Sequence, residues 1–446
     1  MKPLRMLIIG GGIGGLALGQ ALLAAGFDVQ IHERNQTADD WLQGYRVNIH
    51  PHGARALHDC LPPPLWQAFL ATSVAPPGGI SFRTERLREL MTTDRATLTG
   101  GSDDPADGQY GVSRIVLRRL LLTGLDHVIR YGSEFDHYTV GDDGRVTAHF
   151  ADGTADTGDL LVGADGANSR VCAQYLPGAA RVDTDAAAIA GRLPLTPATR
   201  GWLPEHLTAG MMLMMPPSGR RTLFTSAFAG REQMAKAVQE GELAAAGVDI
   251  DTDLLLDGLE DYVLWAVIAH HRDFPAGVAE MDGTARQAVC ADMAAGWHPA
   301  LARMIAESRP ESVELLRLKH STLLKPWPST TVTVLGDAVH NMPPVGGLGA
   351  NAALLDAAAL AEELLRHDTP VAAVAAYEKR MRDHGYRALR ESLTNTRRAI
   401  SPNVVSRRMG RVFFRGMKAV SQLRRAFRGD ANESAEHAAP QRSRSH

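Results

Sequence analysis

Three glycines near the beginning of the chain have the spacing of a phosphate-binding turn. The motif Gly10-x-Gly12-x-x-Gly15 follows a strand-like run, Arg5 to Ile9, and opens a helix-like run, Leu16 to Ala25. Gly12 lets the backbone approach a pyrophosphate, and the unpaired N–H groups at the start of a helix bind anionic oxygens. The motif, with Ile13 and Gly14 inside it, therefore predicts the phosphate site of a dinucleotide. A glycine-rich turn without a ligand is the alternative.

A carboxylate closes the second predicted strand, Val29 to Glu33. Glu33 can accept hydrogen bonds from both hydroxyls of an adenosine ribose, and its charge would repel a 2′-phosphate. This residue favours FAD or NAD over NADP at the site. Arg34, the next residue, is included among the predicted cofactor-binding residues.

A second motif, Gly336-Asp337-Ala338-Val339-His340, comes near the end of the chain, before prolines, glycines and an alanine-rich helix. Asp337 ends a predicted strand, where a carboxylate can accept hydrogen bonds from sugar or ribityl hydroxyls. The helix that starts near Gly349 directs the positive end of its dipole toward a ligand bound beside its first turn. This suits the negative charge of a reduced flavin ring. An ordinary loop with Asp337 as a turn residue is the alternative. Among the residues between the motif and the helix, or at the helix start, we include Pro344, Gly347, Leu348, Gly349, Ala350 and Asn351 in the predicted cofactor site.

The third motif is Gly163-Ala164-Asp165-Gly166-Ala167-Asn168-Ser169-Arg170, directly after the predicted strand Asp159 to Gly163. Together, the order and spacing of the three motifs resemble those of the flavoprotein aromatic hydroxylases of the para-hydroxybenzoate hydroxylase type. The subgroup that the sequence resembles most is that of the salicylate hydroxylase-like and tetracycline-modifying monooxygenases. The resemblance covers about residues 4 to 385.

The resemblance implies roles for individual residues. Glu33 would bind the ribose, Asp165 would lie near the pyrophosphate and the nicotinamide path, and Asp337 would bind the ribityl chain. Arg114 matches the family's helix arginine near FAD, and Gly347 to Asn351, with Pro344, match the residues that frame the flavin ring. Arg46 is a weaker match to a residue at the flavin or substrate edge. The sequence departs from the family at Cys172, where an arginine is frequent.

The resemblance also implies a reaction. FAD would be reduced by NADPH or NADH, which visits transiently because the chain has one dinucleotide fingerprint. O2 would then give a flavin C4a-hydroperoxide that hydroxylates an apolar, aromatic or polycyclic small molecule, with no side chain assigned as catalytic. Epoxidation, Baeyer-Villiger insertion and flavin reduction are alternatives on the same fold, whereas the absence of Trp-x-Trp disfavours a halogenase. A non-catalytic nucleotide-binding regulator is the alternative of a different class.

Around these motifs, the sequence predicts an α/β fold with a discontinuous Rossmann-like FAD-binding domain and C-terminal helices. Strand-like pieces separated by proline, glycine and charged segments, from about Asp185 to Arg272, predict a second, mainly antiparallel β substrate domain. We expect the FAD-binding domain at residues 1–80, 105–184 and 285–385, and the substrate domain at 81–104 and 185–284. C-terminal helices are expected at 386–430 and a disordered tail at 431–446. One helix is predicted over Tyr110 to Leu125 from its apolar periodicity.

Substrate contacts should come from two strands of the β domain, Gly210 to Met215 and Arg221 to Phe228. Methionines suit a broad, adaptable apolar pocket, which favours a bulky planar substrate. An ordinary sheet core is the alternative for each residue, and one sequence does not show which face points inward. The candidates are Met212, Met214, Phe224 and Ser226.

Composition limits the class of protein. The chain has 446 residues, 45% of them hydrophobic and 22% charged, with a formal charge of −3, which gives no reason to expect a nucleic acid partner. Cys60, Cys172 and Cys290 are far apart, so we expect no disulfide framework, no zinc site and a reducing, cytoplasmic setting. The pairs His50/His52 and His270/His271 lack accompanying ligands in sequence, so no metal is predicted.

The two ends of the sequence could be mistaken for membrane signals. The nearly uncharged stretch from Met6 to Phe27 contains seven glycines, which disfavours a signal peptide or a spanning helix. Ser401 to Arg428 has the pattern of a basic amphipathic helix. Packing on its own domain or on a dimer mate is the preferred interpretation, and attachment to a membrane surface is the second. The chain is expected to be a monomer or a homodimer.

Overall fold

The structure is a computed structural model that describes residues 4–37, 46–74, 79–93, 100–208, 210–217, 219–240, 260–405 and 407–418. The predicted tail at 431–446 and residues 419–430 of the predicted C-terminal helices lie outside the described residues. The described part forms two lobes, each built on its own sheet.

Strands β1 to β17 follow in chain order at Arg5–Ile9, Asp28–His32, Arg46–Ile49, Ile80–Arg83, Glu89–Thr93, Tyr110–Ser113, Ile129–Arg130, Phe135–Val140, Val146–Phe150, Ala155–Gly158, Leu160–Gly163, Arg181–Pro194, Met211–Met214, Arg221–Phe228, Tyr262–His270, Glu314–Ser321 and Val332–Val334. Helices α1 to α12 lie at Ile13–Ala24, Pro51–Cys60, Pro63–Thr72, Arg114–Leu122, Arg170–Tyr175, Pro197–Arg200, Arg231–Gln239, Gly283–Met293, Pro299–Ala306, Asp337–His340, Gly349–Arg366 and Pro370–Ala399. Residues 404–405 and 407–418 are also helical, and we call them the C-terminal helical segment. None of the helices described here is long and apolar enough to cross a bilayer.

The first lobe is built on a five-stranded parallel sheet in the order β17-β11-β1-β2-β7. Its central strands are almost fully buried, as expected for parallel strands covered on both faces. Because parallel strands end at the same edge, the residues that follow β1, β11 and β17 meet there. All three sequence motifs begin at that edge, so the sheet brings together segments more than 300 residues apart in sequence.

The close approach of the first and third motifs requires a glycine. Gly10 has φ +112°, and a β-carbon added to it would lie 2.4 Å from the Ala164 carbonyl oxygen. No other residue type fits this contact between the loops after β1 and β11.

The predicted helix Tyr110 to Leu125 is wrong at its first turn. Tyr110–Ser113 forms strand β6, which pairs antiparallel with β3, and helix α4 begins only at Arg114. The four residues of β6 are all buried, so pairing with a distant strand outweighs the local helical periodicity.

The second lobe contains a seven-stranded, mainly antiparallel sheet in the order β16-β12-β15-β14-β13-β4-β5, with one parallel pair, β13 and β4. Helices α8 and α9 pack on one face of this sheet and contribute Cys290, Leu301 and Met304 to a core with Trp265. The other face looks toward the first lobe.

The chain returns to the first lobe later than the sequence indicated. Helices α8 and α9 and strand β16 belong with the seven-stranded sheet, so the boundary expected at residue 285 falls after Ser321 instead. The boundary expected at residue 386 falls inside helix α12, which runs unbroken from Pro370 to Ala399. Both errors arise because helical periodicity shows that a helix has an apolar face but not which sheet that face covers.

Candidate flavin and substrate site

A cavity of about 1850 Å³ lies between the two lobes. The loops after β1, β11 and β17 form one end of it, and the inner face of the seven-stranded sheet forms the other. It is large enough for a dinucleotide cofactor together with a small molecule.

The glycine turn after β1 leaves open space beside Gly12. A β-carbon added to Gly12 would meet no protein atom within 4 Å, whereas one added to Gly15 would lie 2.2 Å from the Gly10 carbonyl oxygen. Helix α1 begins at Ile13, and no side chain caps its first N–H groups. Gly10, Gly12, Ile13, Gly14 and Gly15 all line the cavity, so the free helix start faces a space that suits a phosphate.

Glu33 is 8% exposed and held in a fixed orientation at this end of the cavity. The Gly11 backbone N–H donates to its Oε2 at 2.7 Å, and the Asn35 backbone N–H donates to its Oε1 at 2.9 Å. Each carboxylate oxygen keeps a further lone pair for a ribose hydroxyl. Arg34, beside it, is exposed and also lines the cavity.

Asp165 shapes the loop after β11. The Arg170 and Val171 backbone N–H groups donate to its Oδ2 at 2.8 Å and 3.3 Å, and the Ser169 hydroxyl donates to its Oδ1. Burial raises the pKa of Asp165, and these hydrogen bonds oppose that effect. Asp165 lines the cavity, but its carboxylate accepts hydrogen bonds from its own loop. These bonds hold the loop in the conformation that brings Ala164 close to Gly10.

Asp337 starts helix α10 and is exposed to the cavity. Arg114, at the start of α4, lines the same cavity; burial lowers its pKa, and the nearby Asp337 carboxylate opposes that effect. A carboxylate and a guanidinium therefore lie near each other in the wall of the cavity that the glycine turn and the sheet of the second lobe also line.

A buried carboxylate supports the turn that presents Asp337. Asp356 Oδ2 accepts the Gly336 backbone N–H at 2.7 Å and lies 2.6 Å from His340 Nε2, while Asp356 Oδ1 lies 2.6 Å from His384 Nε2. Burial would raise the pKa of Asp356, but the two histidines bring it to about 2. Burial would lower the pKa of His340, but Asp356 outweighs it and the pKa is raised. The sequence reasoning did not identify this network, because its members meet only through tertiary packing.

The loop before helix α11 frames the far side of the cavity. Gly346 and Gly347 have φ of +100° and +67°, so two consecutive residues adopt the left-handed conformation that favours glycine. Asn351 is 5% exposed and fixes this loop: its amide donates to Gly347 O and Asn48 O at 2.8 and 2.9 Å, and its Oδ1 accepts the His50 N–H at 2.8 Å. Pro344, Gly347, Leu348, Gly349 and Ala350 line the cavity, whereas Asn351 holds the loop from behind.

Arg46 lies where β3 of the first lobe meets β14 of the second. Its Nη1 donates to the Ala227 carbonyl and, at 3.3 Å, to the Ser226 hydroxyl. Its Nε and Nη2 are buried without a hydrogen-bond partner, and burial lowers its pKa to about 10. This cation lines the cavity and suits an anionic or strongly polar ligand group.

The four predicted substrate residues lie on two different faces of the seven-stranded sheet. Phe224 and Ser226 line the cavity, and their directly paired neighbours Leu213 and Met211 line it too. Met214 pairs with Leu223 on the opposite face and packs in the core covered by α8 and α9, so the expectation for Met214 is wrong. Met212 is two residues from Met214 on the same strand, so its side chain lies on the same face. It is 1% exposed and belongs mainly to that core, although it also borders the cavity.

Sequence reasoning missed most of the apolar wall. The inner face of the sheet is lined by small and branched side chains at alternate strand positions, and two aromatic rings close its edge, where Phe82 stacks on Phe414 with centroids 4.4 Å apart. Period-two alternation was the available signal, but only the packing of α8 and α9 shows which alternate set faces the cavity. These wall residues are Ile80, Ala188, Ala190, Leu264, Ala266, Ile268, Leu316 and Leu318.

The cysteines and histidines suggest no separate reactive centre. Burial raises the pKa of Cys172 to about 11 and that of Cys60 and Cys290 to about 12, so these thiols stay protonated. In the described part of the chain, Asp183, Asp185 and His271 do approach within 4.8 Å, a grouping that the sequence spacing did not predict. The His271 Nδ1, however, already lies 3.0 Å from the Asp185 carbonyl oxygen, and both carboxylates are exposed.

These features fit FAD. The open space at Gly12 and the oriented Glu33 suit an adenosine diphosphate, and the exposed Asp337 carboxylate suits a polyhydroxyl chain. The two-glycine loop and the start of α11 leave room for a flat ring beside the substrate sheet. Fold and site together define a flavoprotein with a Rossmann-type FAD-binding lobe and a β-sheet substrate lobe.

Comparison with known proteins gives the family. One family model, described as an NAD(P)-binding Rossmann-like domain, matches residues 8–72, and another, described as an FAD binding domain, matches residues 277–392. A solved structure from Photorhabdus luminescens subsp. laumondii TTO1, assigned as an FAD containing monooxygenase, is 32% identical; the match covers 89% of this chain and 98% of that one, with a TM-score of 0.77. The chain belongs to the FAD-dependent monooxygenases.

Two curated relatives extend this comparison. A dual O-methyltransferase/FAD-dependent monooxygenase of Cercospora beticola is 33% identical over 412 residues, which are 88% of this chain and 46% of the relative. The chain thus spans about half the length of that relative. An FAD-dependent urate hydroxylase of Klebsiella pneumoniae is 26% identical over 380 residues, which are 84% of this chain and 85% of the relative.

Proposed function

We propose that this chain is a monooxygenase that uses FAD, NADH or NADPH, and O2 to hydroxylate an apolar, aromatic or polycyclic small molecule. The observation that carries the proposal is a single cavity that joins the dinucleotide-type loops of one lobe to the apolar sheet face of the other. The urate hydroxylase among the relatives acts on an aromatic heterocycle, which supports an aromatic substrate here.

The protein's own residues bind and orient the reactants. Gly12 and Glu33 would hold the adenosine diphosphate, Asp337 the ribityl hydroxyls, and the start of α11 would stabilise negative charge on the ring. When bound, FAD supplies the acceptance of hydride and the activation of O2, which side chains do not provide.

The second lobe would position the substrate. Its wall of alanine, leucine, isoleucine and phenylalanine side chains excludes water from the reacting atoms and offers a flat apolar surface to a planar molecule. Arg46 would stabilise a negative charge on the ring edge or on a substrate oxygen, because its buried guanidinium lacks a carboxylate partner among the described residues.

The test is turnover by the purified protein. We expect a yellow protein with flavin absorbance bands, whose consumption of NADH or NADPH increases in the presence of particular aromatic compounds. The product should carry one added oxygen atom by mass spectrometry. A colourless protein that does not bind added FAD would overturn the proposal. A catalytically inert FAD-binding protein would support the nucleotide-binding regulator instead.

The same experiment separates the related oxygenation reactions. A phenol identifies hydroxylation, an epoxide or its diol identifies epoxidation, and a ring-expanded ester identifies Baeyer-Villiger insertion. Stimulated NAD(P)H consumption without an oxygenated product would identify a flavin reductase.

A further inference from the structure

Exposed apolar side chains are concentrated on the C-terminal helical segment. Val405, Met409, Val412 and Phe413 are between 63% and 67% exposed and follow one another at helical spacing. We call these four residues the exterior stripe. Six of the eleven most exposed large apolar side chains of the described chain belong to this one segment. Scattered exposed apolar residues are normal, but a stripe of them marks an interaction site.

The segment is anchored to its own chain through other positions. Phe414 stacks on Phe82, and Arg411 and Lys418 form ion pairs with Glu85 and Glu89 at 3.3 and 3.0 Å. Arg407 is 5% exposed and donates to the Ser401, Ala399 and Arg221 carbonyl oxygens. Packing on its own lobe, the preferred interpretation from sequence, therefore uses one side of the helix and leaves the exterior stripe uncovered by the described residues.

The charge around the stripe points to an anionic partner. The C-terminal helical segment contains five arginines and lysines and no aspartate or glutamate, in a chain whose formal charge is −3. Three of the five contact their own lobe, which leaves Arg408 and Arg415. Arg408 and Arg415 are exposed and seven residues apart, so they flank the stripe on one side of the helix. An exposed apolar stripe bordered by arginines is the pattern of a helix that lies in the interface of an anionic bilayer.

We propose that the exterior stripe, with Arg408 and Arg415, docks the protein on the surface of a phospholipid bilayer that contains anionic lipids. A second copy of the chain fits this surface poorly. In a two-fold dimer the same patch would meet itself, and the arginines of both copies would face each other without carboxylates in the patch. An anionic bilayer matches both features of the patch, because its acyl chains accept the apolar side chains and its headgroups carry the negative charge that attracts the arginines.

The docked orientation would place the substrate cavity at the membrane. Met409 and Phe413 belong to the exterior stripe and also line the cavity, so the helix is at once the membrane-facing surface and a cavity wall. An apolar substrate dissolved in the bilayer could then enter without crossing water. This last step rests on the proposed function, whereas docking itself does not.

The test uses the full-length, FAD-loaded protein and sedimentation with vesicles. We expect binding to vesicles of phosphatidylcholine with phosphatidylglycerol, at least tenfold weaker binding to pure phosphatidylcholine, and weakening by salt. The double variant Val405→Ser/Val412→Ser should bind at least tenfold more weakly, and neither residue lines the cavity. Arg408→Gln/Arg415→Gln should reduce the preference for the anionic vesicles. Leu365→Ser, which removes an equally exposed leucine from the end of α11, is the matched control and should bind as the parent does.

Three results would overturn the docking proposal. The parent could fail to bind anionic vesicles, or the Val405→Ser/Val412→Ser variant could bind as tightly as the parent. Light scattering could also show a dimer that this variant converts to a monomer, in which case a second copy covers the stripe. FAD content and thermal unfolding of each variant exclude misfolding as the cause. Failure of the proposed function would appear separately, as absent turnover by a protein that still binds vesicles.

Discussion

At the scale of single residues, substitutions of Gly12 and Gly15 distinguish an effect on FAD binding from an effect on the stability of the fold. Gly12 has φ −80°, which alanine adopts freely, and an added β-carbon meets no protein atom within 4 Å. Gly12→Ala should therefore keep the parent's unfolding temperature as the FAD-free protein. Its methyl group would stand where a phosphate approaches the turn, so we expect FAD affinity to fall at least tenfold, measured by titration of flavin fluorescence.

Gly15→Ala is the contrasting variant. Its β-carbon would lie 2.2 Å from the Gly10 carbonyl oxygen, so the helix and the strand must move apart and the FAD-free protein should unfold at a lower temperature. Wild-type FAD affinity in Gly12→Ala would show that the phosphate does not lie beside this turn.

Asp337 provides the second test at this scale. Its carboxylate faces the cavity near Arg114, and Asp337→Asn removes the charge while keeping the size of the side chain. A hydrogen bond to a charged group contributes about 1.5–3 kcal/mol, so FAD affinity should fall by about 10- to 150-fold. Asp152→Asn, in an exposed turn that is not part of the cavity lining, should retain full affinity. Unchanged FAD retention in Asp337→Asn would remove Asp337 from the binding site.

At the scale of elements, Asp356 links three helices behind the flavin site. It lies on α11 and contacts His340 of α10 and His384 of α12, and it accepts the Gly336 N–H. Asp356→Asn should destabilise the fold by about 3–5 kcal/mol, because it leaves buried partners uncompensated. It should also weaken FAD binding under conditions where the variant is fully folded, because the turn that presents Asp337 loses its support.

Glu378 offers a matched control for this prediction. It is also 0% exposed, and it accepts hydrogen bonds from the hydroxyls of Tyr175, Ser329 and Thr333, away from the Gly336 turn. Glu378→Gln should lower the unfolding temperature without changing FAD affinity. Equal FAD affinity in both variants would show that Asp356 stabilises the lobe but does not position Asp337.

The second strand, β2, carries an acid-sensitive group. His32 packs on Phe150, and burial, opposed by the Asp156 carboxylate, lowers its pKa from 6.5 to about 4. The folded state therefore holds His32 neutral in a range where the unfolded chain binds a proton. The free energy of unfolding should be fully retained above pH 6.5 and fall between pH 6.5 and 4, by up to about 3 kcal/mol. In His32→Gln, denaturant titrations across this range should show a smaller pH dependence; an unchanged slope would assign it to other groups.

The elements predicted from sequence were those with local signals. Strand β1 has its predicted bounds and strand β2 differs by one residue, whereas helix α1 begins three residues earlier than predicted and ends one residue earlier. Strand hydrophobicity, a glycine turn and Gly26 mark these elements locally. Strand β6 was predicted as helix because its pairing with β3 depends on residues more than 60 positions away. Local propensity does not contain that information.

At the scale of the whole molecule, the site depends on which face of the seven-stranded sheet meets the first lobe. The sequence shows strands in which the side chains alternate between two faces. The substrate residues predicted from it include both Phe224 and Met214, which lie on opposite faces. Helices α8 and α9 decide the choice by covering the face that carries Met214. The residues that line the first-lobe end of the cavity could be named from the sequence because they occur in motifs. The residues of the apolar wall are distributed over six strands, β4, β12, β13, β14, β15 and β16, and no motif marks them.

The role of the apolar wall in substrate binding can be tested by introducing a larger side chain that reduces the space in front of it. Ala266 lies on β15 between Ala190 and Phe224 in the strand register, and it is only partly buried because it faces the cavity. Ala266→Phe should therefore extend into the cavity without overpacking the core, in contrast to a substitution at the fully buried neighbour Trp265. We expect normal FAD content, little change in kcat/KM for single-ring aromatic compounds, and at least a tenfold loss for polycyclic ones, measured as substrate-stimulated NAD(P)H consumption. Ala155→Phe, on an exposed strand position outside the cavity lining, should leave both classes unaffected. Unchanged kcat/KM for the polycyclic compounds would mean that the substrate does not lie along this face of the sheet, because a molecule that extends over Ala266 must contact the added ring. An equal loss for both classes would mean that the cavity does not distinguish them by size at Ala266.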